Sequence, residues 1–443
     1  MRRPPLPKNV HATARDRAAA AIAAKAATWP DMTLDGPDTT NLSPADAALA
    51  TAITRCTVQR WLTLRFLLEK HLSKQLARLE PGMQGVLLTG AAQLLFLDRL
   101  PAYAVVDEMV HIARRHVRAG AAGMANAVLR KLAKLAGDRD YTPWTPSPNR
   151  LPLDKGSLQL TEAVLPEGDP AVLLSCPKPL FKAWLAQRGE DTAWAMAEHA
   201  TRTPPVLLTV EADWQSSEQA APHDQLGHAL WTGKAGDLPV YLAQHPDRRV
   251  QDPSATLAVA STAELDPAPR RILDLCAGRG TKTRQLARLH PDAEVYANDP
   301  NPDTLDDLHA AAQAHANVHV FWDTHPTAPT GEFDLILLDV PCSNTGVLAR
   351  RPEARYRYST QTVGDLVQLQ RSIIDKALSL LAPDGRLLYS TCSVESAENR
   401  NQAQRLARSA GLALNRQHQA LPAGHGTSWH DGAYHACLSR PDA

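Results

Sequence analysis

Two thiols and a carboxylate stand in short polar stretches that follow apolar runs late in the chain. Asp339-Val340-Pro341-Cys342-Ser343-Asn344-Thr345-Gly346 comes after Leu335 to Leu338, and Ser390-Thr391-Cys392-Ser393-Val394-Glu395 comes after Arg386 to Tyr389. Cysteine is most often a small buried apolar residue, which is the competing reading for each of them. A thiol just past a strand end, among serines and threonines and ahead of a helix start, is instead exposed, and it ionises more easily than at its usual pKa of about 8.5. Two thiols beside an acid suit one kind of chemistry in particular. Carbon 5 of cytosine is too weak a nucleophile to take a methyl group from a sulfonium until another nucleophile has added at carbon 6. An acid hydrogen-bonded to N3 assists that addition, and a base or second thiol near carbon 5 assists loss of its proton before the adduct breaks.

A second constellation could hold a cofactor. Leu273-Asp274-Leu275-Cys276-Ala277-Gly278-Arg279-Gly280-Thr281-Lys282-Thr283 reads as a strand, a glycine-bearing turn and a helix start. Gly278 and Gly280 let the backbone approach a ligand, and exposed amides at a helix start suit an anionic group. The spacing is not that of a phosphate-binding P-loop, and a turn with no ligand is an equal alternative. The next strand ends at Asn298-Asp299-Pro300, where an acid can accept hydrogen bonds from ribose hydroxyls; Asp323, after a third strand, could meet an adenine amine. For either acid the alternative is a cap on the following helix.

These residues need a scaffold that brings strand ends together. From residue 270 short apolar runs alternate with helical periodicity, the pattern of a parallel sheet built from βαβ units. Strands are expected at Arg271–Leu275, Glu294–Asn298, Val318–Phe321, Leu335–Leu338 and Arg386–Tyr389, with helices at Thr281–Leu289, Asp303–Ala314, Thr362–Leu381 and after Glu395. Ligands bind such doubly wound sheets at the carboxyl ends of the strands, where the polar motifs fall. Residues 11–135 are periodic at 3.6 throughout, in segments such as Gln84–Leu97 and Ala104–Arg115, with Gly120 and Gly123 between the last two helices. The chain is therefore expected to be multidomain: an all-α domain at 1–140, a proline-rich linker at 141–155, a small α/β subdomain at 156–262 and a Rossmann-like doubly wound domain at 263–443. In the small subdomain the expected helices are Lys178–Gln187 and Asp191–Arg202, and the expected strands are Val206–Val210 and Leu238–Leu242.

With 443 residues, 44% apolar and 21% charged, the composition is that of a soluble globular chain, and no run suggests a membrane span. The six cysteines form no C-x-x-C pair and have no histidine at ligand spacing, which argues against a metal site or disulfide framework and fits a reducing cytoplasm. The arginine- and alanine-rich start reads as a first helix in preference to a targeting peptide. Net charge is zero, but residues 1–140 hold 20 Lys and Arg against 12 Asp and Glu, so the basic half is the candidate nucleic-acid surface.

Taken together, the motifs resemble the RNA cytosine-5 methyltransferases of the Nop/Sun family, whose marks are D-x-P-C-S-x-T-G and T-C-S. Both stand here, at Asp339–Gly346 and Thr391–Ser393. Arg350-Arg351-Pro352-Glu353-Ala354-Arg355-Tyr356 resembles the basic and aromatic stretch that follows the first mark. Residues 83–132, with Leu88-Thr89-Gly90-Ala91-Ala92-Gln93-Leu94-Leu95-Phe96 and Ala125-Asn126-Ala127-Val128-Leu129-Arg130, resemble a NusB-like RNA-binding domain. The resemblance implies S-adenosylmethionine as cofactor, small-subunit (16S) ribosomal RNA or an assembly intermediate as partner, and a monomer.

By the same resemblance Cys392 is the nucleophile, Cys342 assists product release, and Asp339 with Lys282 completes the catalytic group. Cofactor contacts fall on Asp274, Cys276, Ala277, Gly278, Arg279, Gly280, Thr281, Lys282, Asp299, Asp323, Asp339 and Pro341. RNA contacts fall on Arg350, Arg351 and Arg355, and on Arg114, Arg115 and Arg130 of the helical domain. Arg279 and Thr281 depart from the family's proline and glycine, Leu208-Thr209-Val210-Glu211 departs from its L-R-V-N segment, and Gly426 to Gly432 keeps only an aspartate-glycine turn. The loop changes leave open an RNA-binding assembly factor with a decayed methyl-transfer site. A DNA cytosine methyltransferase, with Cys342 as nucleophile, is a third reading.

Overall fold

The computed structural model describes residues 12–33, 35–98, 100–211, 213–321 and 331–440. The chain divides into two compact units, one of residues 1–203 with 348–358 and one of 204–347 with 359–443.

The first unit is built on helices α1 (Ala14–Thr28), α2 (Pro44–Gln59), α3 (Trp61–Glu69), α4 (Pro81–Phe96), α5 (Ala102–His116) and α6 (Ala121–Leu135). α1 is almost pure helix former and starts with a capping box between Thr13 and Asp16. α4 carries no charge and is buried nearly all round, with α1, α2, α3, α5 and α6 packed against it. The start of α6 encloses Gly123, expected between helices, because Gly120 caps the helix three residues earlier. Three short antiparallel strands follow, β1 (Ala136–Asp140), β2 (Arg150–Pro152) and β3 (Ser157–Leu160), in the order β1-β3-β2. The stretch 141–155 is thus no linker. Its prolines are tolerated because β2 lies at a sheet edge, while Leu151 is fully buried and Arg150 binds Asp140 at 2.7 Å. Helices α7 (Pro170–Leu173), α8 (Lys178–Arg188) and α9 (Glu190–His199) complete the unit, so 156–203 belongs with the helical domain and the expected middle subdomain is split.

In the second unit β4 (Leu207–Thr209), β5 (Ala220–Pro222) and β6 (His228–Trp231) form a small antiparallel sheet in the order β4-β6-β5. The segment expected as a strand at Leu238–Leu242 is helix α10 (Leu238–Gln244). Pro239 stands in its first turn, and only one face is buried, Tyr241 packing on Leu208 and Trp231 while Val240 stays exposed. Helix α11 (Pro253–Ala260), capped by Asp252, leads into the large sheet. This contains β7 (Arg271–Asp274), α12 (Thr281–Leu289), β8 (Glu294–Ala297), α13 (Leu305–Ala314), β9 (Val318–Val320) and β10 (Phe333–Asp339).

After β10 the chain passes through the segment assigned to the first unit, with its short helix α14 (Ala354–Arg357). It then continues as α15 (Thr360–Leu378), β11 (Leu381–Thr391), α16 (Arg400–Ala410), β12 (Ala413–Ala420) and β13 (Ala433–Ser439). The strand order is β12-β13-β11-β10-β7-β8-β9, parallel from β11 to β9 and antiparallel at β13 and β12. The five expected strands are present, and the two antiparallel ones are additional. β10 is apolar along its length because both faces are covered: Ile336 and Leu338 pack toward α15 and α16, Leu335 and Leu337 toward α11 and α12. This is a Rossmann-like doubly wound domain, and its order reverses between β7 and β10, where such sheets bind ligands. Among the described residues no helix is long and apolar enough to cross a membrane.

Candidate active site

Parallel pairing sets Asp339 opposite Ser390, so the turns after β10 and β11 leave the sheet side by side. The Sγ atoms of Cys342 and Cys392 lie 3.2 Å apart, although fifty positions separate them in sequence. Cys392 donates to Asn344 Oδ1 at 3.2 Å. Asn344 holds a left-handed backbone (φ 59°), which asparagine tolerates, and its amide closes back on the Cys342 carbonyl at 2.9 Å. The helix expected just after Cys392 begins only at Arg400, with a turn between. Cys342 is held protonated, its pKa raised well above the ordinary value by contact with Cys392, by burial and by the charge of Glu398.

Asp339 accepts from Lys282 Nζ at 2.6 Å and from Ser390 Oγ at 2.8 Å. Burial works against the Lys282 charge, but Asp339 outweighs it, with help from Cys392 and Asp274, and holds the ammonium pKa above its ordinary value. Lys282 and Cys392 line one small cavity with Ser390, Asp252 and Asp431. Pro341 is exposed, and its carbonyl accepts from Gln370 Nε2.

At the end of β7 Asp274 is fully buried. Thr283 Oγ1 donates to one of its oxygens at 2.7 Å, and the other, Oδ1, has no partner among the described residues. Burial pushes its pKa up to about 7, with the charge of Asp339 adding to the effect. Because the folded value lies above the ordinary one near 3.9, the unfolded chain gives up this proton first. The stability the group contributes is whole below about pH 4 and lost as pH rises through 7. We expect thermal denaturation without added ligand to show wild type losing ground to Asp274→Asn between pH 4 and 8; parallel curves would contradict this placement.

The turn beyond it is open. Cys276 is partly exposed and Ala277 donates to the Asn298 carbonyl. Gly278 (φ 52°) and Gly280 (φ 76°) take left-handed backbones, and a Cβ built on Gly278 would meet nothing within 4 Å. Asp299 Oδ2 accepts from the Gly278 amide at 2.8 Å and Oδ1 from the Asn301 amide at 2.9 Å, so this acid both caps the next segment and fastens the turn. Arg279 swings to the surface and pairs with Asp307 at 2.6 Å, and Thr281 opens α12, so neither substitution fills the turn. Asp323 lies outside the described residues.

Of the arginines expected on RNA, Arg114, Arg130 and Arg351 are exposed and Arg350 is half-buried. Arg115 binds both oxygens of Asp16 at 2.9 and 3.2 Å. Arg355, expected on RNA, is instead buried: it is 1% exposed, and its guanidinium donates to the carbonyls of Ala200, Leu174 and Leu348, so it braces the first unit from within.

A residue that sequence reasoning did not single out holds the two cysteine turns together. Glu398 is fully buried and accepts from the Ser343 amide at 2.9 Å, from Ser343 Oγ, from Ser393 Oγ at 2.6 Å and from Gln370 Nε2 at 3.1 Å. One carboxylate thus joins the residues that follow both thiols. Its position six residues after Cys392 was the available signal, but glutamate is rarely buried and reads as surface.

A helical unit followed by a doubly wound sheet with a glycine turn, an acid at the end of each of three strands and paired thiols defines a methyltransferase. Residues 262–427 match the family described as 16S rRNA methyltransferase RsmB/F, and residues 13–134 match the NusB family. The chain is 30% identical to the Ribosomal RNA small subunit methyltransferase B of Xanthomonas campestris over 387 residues, 81% of this chain and 79% of the relative. It is 30% identical to the protein of that name from Erwinia tasmaniensis over 80% of each chain. The crystal structure of PH0851 shares the fold over 99% of this chain and all of its own, with a TM-score of 0.69 at 16% identity. The chain belongs to the RsmB/F methyltransferase family.

Proposed function

We propose that this protein is an S-adenosylmethionine-dependent RNA cytosine-C5 methyltransferase acting on 16S ribosomal RNA. The observation that carries the reading is the 3.2 Å approach of Cys342 and Cys392 beside the Lys282–Asp339 pair. The residues present fit the cofactor: an open glycine turn, an orphaned carboxylate oxygen on Asp274 and an acid, Asp299, at the end of β8. Residues 276–282 and Asp299 would hold it, and when bound it supplies an electrophilic methyl group. Because Arg279 and Thr281 leave the turn open, the active-enzyme reading is favoured over a decayed site.

The chain's own groups divide the remaining work. Cys392, as thiolate, adds to carbon 6 of a cytosine and forms a C–S bond, pushing the ring electrons to carbon 5. Lys282 donates as an ammonium to Asp339 at 2.6 Å and can pass a proton through that carboxyl toward N3, while the other oxygen of Asp339 accepts from the exocyclic amine. Once carbon 5 carries the methyl group its proton leaves to solvent water, the electron pair re-forms the carbon 5–carbon 6 double bond, and the C–S bond breaks to return the Cys392 thiolate. Cys342, buried and protonated 3.2 Å from that sulfur, can donate its S–H to the departing thiolate and so serve the elimination. The target base must be turned out of its stack to reach the pocket.

Cys342→Ala is expected to leave Cys392 able to add but slow to release, so protein should accumulate on RNA as an adduct that survives denaturing gels. Methyl incorporation into unmethylated 16S RNA, located by bisulfite sequencing, should stop near one equivalent. A variant that turns over at the unmutated rate with no adduct would sink the mechanism.

A further inference from the structure

One half-buried guanidinium in the catalytic unit has nothing to bind. Arg249 follows α10, and its backbone is tied to Thr209 by the Thr209 amide on its carbonyl and by its own amide on Thr209 Oγ1 at 3.1 Å. Its side chain makes no ion pair or hydrogen bond among the described residues, and its Nε is shielded from solvent. It lines a cavity with Thr209, Gln225, Asp247, Gln285 and Arg288. Arg284 and Arg288 stand four residues apart on α12 and so share a face. Among the described residues their acceptors are neutral: Arg284 donates to the Asp307 carbonyl at 3.3 Å and Arg288 to the Asp247 carbonyl. The Nε of Arg284 is also buried and unpartnered.

Arg249 and Arg288 thus line one cavity, with Arg284 close by on α12, and none of the three forms an ion pair with a carboxylate among the described residues. Asp247 lines the same cavity and its charge reaches Arg249 and Arg288, but its carboxyl is engaged with Glu211. The crowding shows in the neighbours: burial, then Arg288 and Arg284, push Arg249 down to about 10, and burial with the same arginines lowers His315. Buried charge is costly unless matched, and guanidinium forks match the several oxygens of a phosphate better than the two of a carboxylate.

We propose that Arg249 and Arg288, with the charge of Arg284 behind them, form a phosphate-binding site, taking the oxyanion of a phosphodiester or of a free phosphate. The choice of an RNA strand as the phosphodiester source rests on the function proposed above; the site itself does not. The experiment uses the full chain, its Arg249→Gln/Arg288→Gln variant and the charge-keeping Arg249→Lys/Arg288→Lys variant, each first shown to melt like wild type. Binding of a single-stranded 16S fragment is followed against salt, and sodium phosphate is titrated by calorimetry.

If RNA occupies the site, the log–log salt slope of the glutamine variant is shallower by about 0.7, the value for one phosphate of a single strand no longer neutralised, while the lysine variant keeps most of it. KM for RNA should rise with kcat unchanged. If wild type binds inorganic phosphate and the glutamine variant does not, with equal RNA slopes, the site serves a free phosphate. Equal slopes together with no difference in phosphate binding overturn the proposal. Should wild type fail to methylate RNA while the slopes still differ, the function falls and the phosphate site stands.

Discussion

Cys392→Ala is expected to abolish methyl transfer, with a loss on the order of 10⁴-fold or more, the scale seen when a covalent nucleophile is removed. The size follows from the chemistry, because without a bond at carbon 6 carbon 5 does not attack, and the neighbouring thiol of Cys342 is held protonated and so is a poor replacement. The loss should be clean. Cys392 is half-buried, and among the described residues its side chain hydrogen-bonds only to Cys342 and Asn344, so truncation leaves the sheet intact. Tritiated methyl incorporation should vanish while RNA affinity and melting temperature stay near wild type. Retained activity in Cys392→Ala, with Cys342→Ala inactive and free of adduct, would reverse the roles of the thiols and match the DNA-type mechanism.

How much of this was legible before the structure differs from element to element. β10 announces itself because both faces are buried, so Phe333 to Leu338 is a nearly continuous apolar run. α12 announces itself by amphipathic spacing and by Gly280 at its start. β12 does not: Asn415, Arg416, Gln417 and His418 belong to an edge strand with much of its length exposed, and nothing apolar alternates there. The site shows the same division. The identities of Cys342, Cys392 and Asp339 stood in the motifs, but their meeting depends on β10 lying next to β11, which is a property of sheet order. Arg355 misled because a basic run reads as surface, whereas guanidinium donors can also satisfy inward carbonyls. Pro239 and the exposed Val240 show how a short L-P-V-Y-L run can mimic a strand while coiling as a helix.

Gly346→Ala should slow catalysis by about 10²-fold, though the residue is not among the reacting groups. Its amide donates to the Cys392 carbonyl at 3.0 Å, and its carbonyl accepts from the Gly432 amide at 2.8 Å. It is thus wedged between the nucleophile's own backbone and the turn between β12 and β13. A Cβ added there would stand 2.7 Å from the Cys392 carbonyl oxygen and closer still to that of Gly432. Both obstacles are backbone, so a segment must move, and the segment that carries the thiol is one of the two. A displacement of about 1 Å at a reacting atom costs roughly 10²-fold in rate. We therefore expect kcat to fall by about that factor, with cofactor binding by calorimetry kept because the glycine turn after β7 lies elsewhere. Covalent capture in the Gly346→Ala/Cys342→Ala double variant should slow in proportion. If the single variant instead loses melting temperature while its folded fraction turns over at the wild-type rate, the glycine serves packing alone, and the backbone of Cys392 is not held through it.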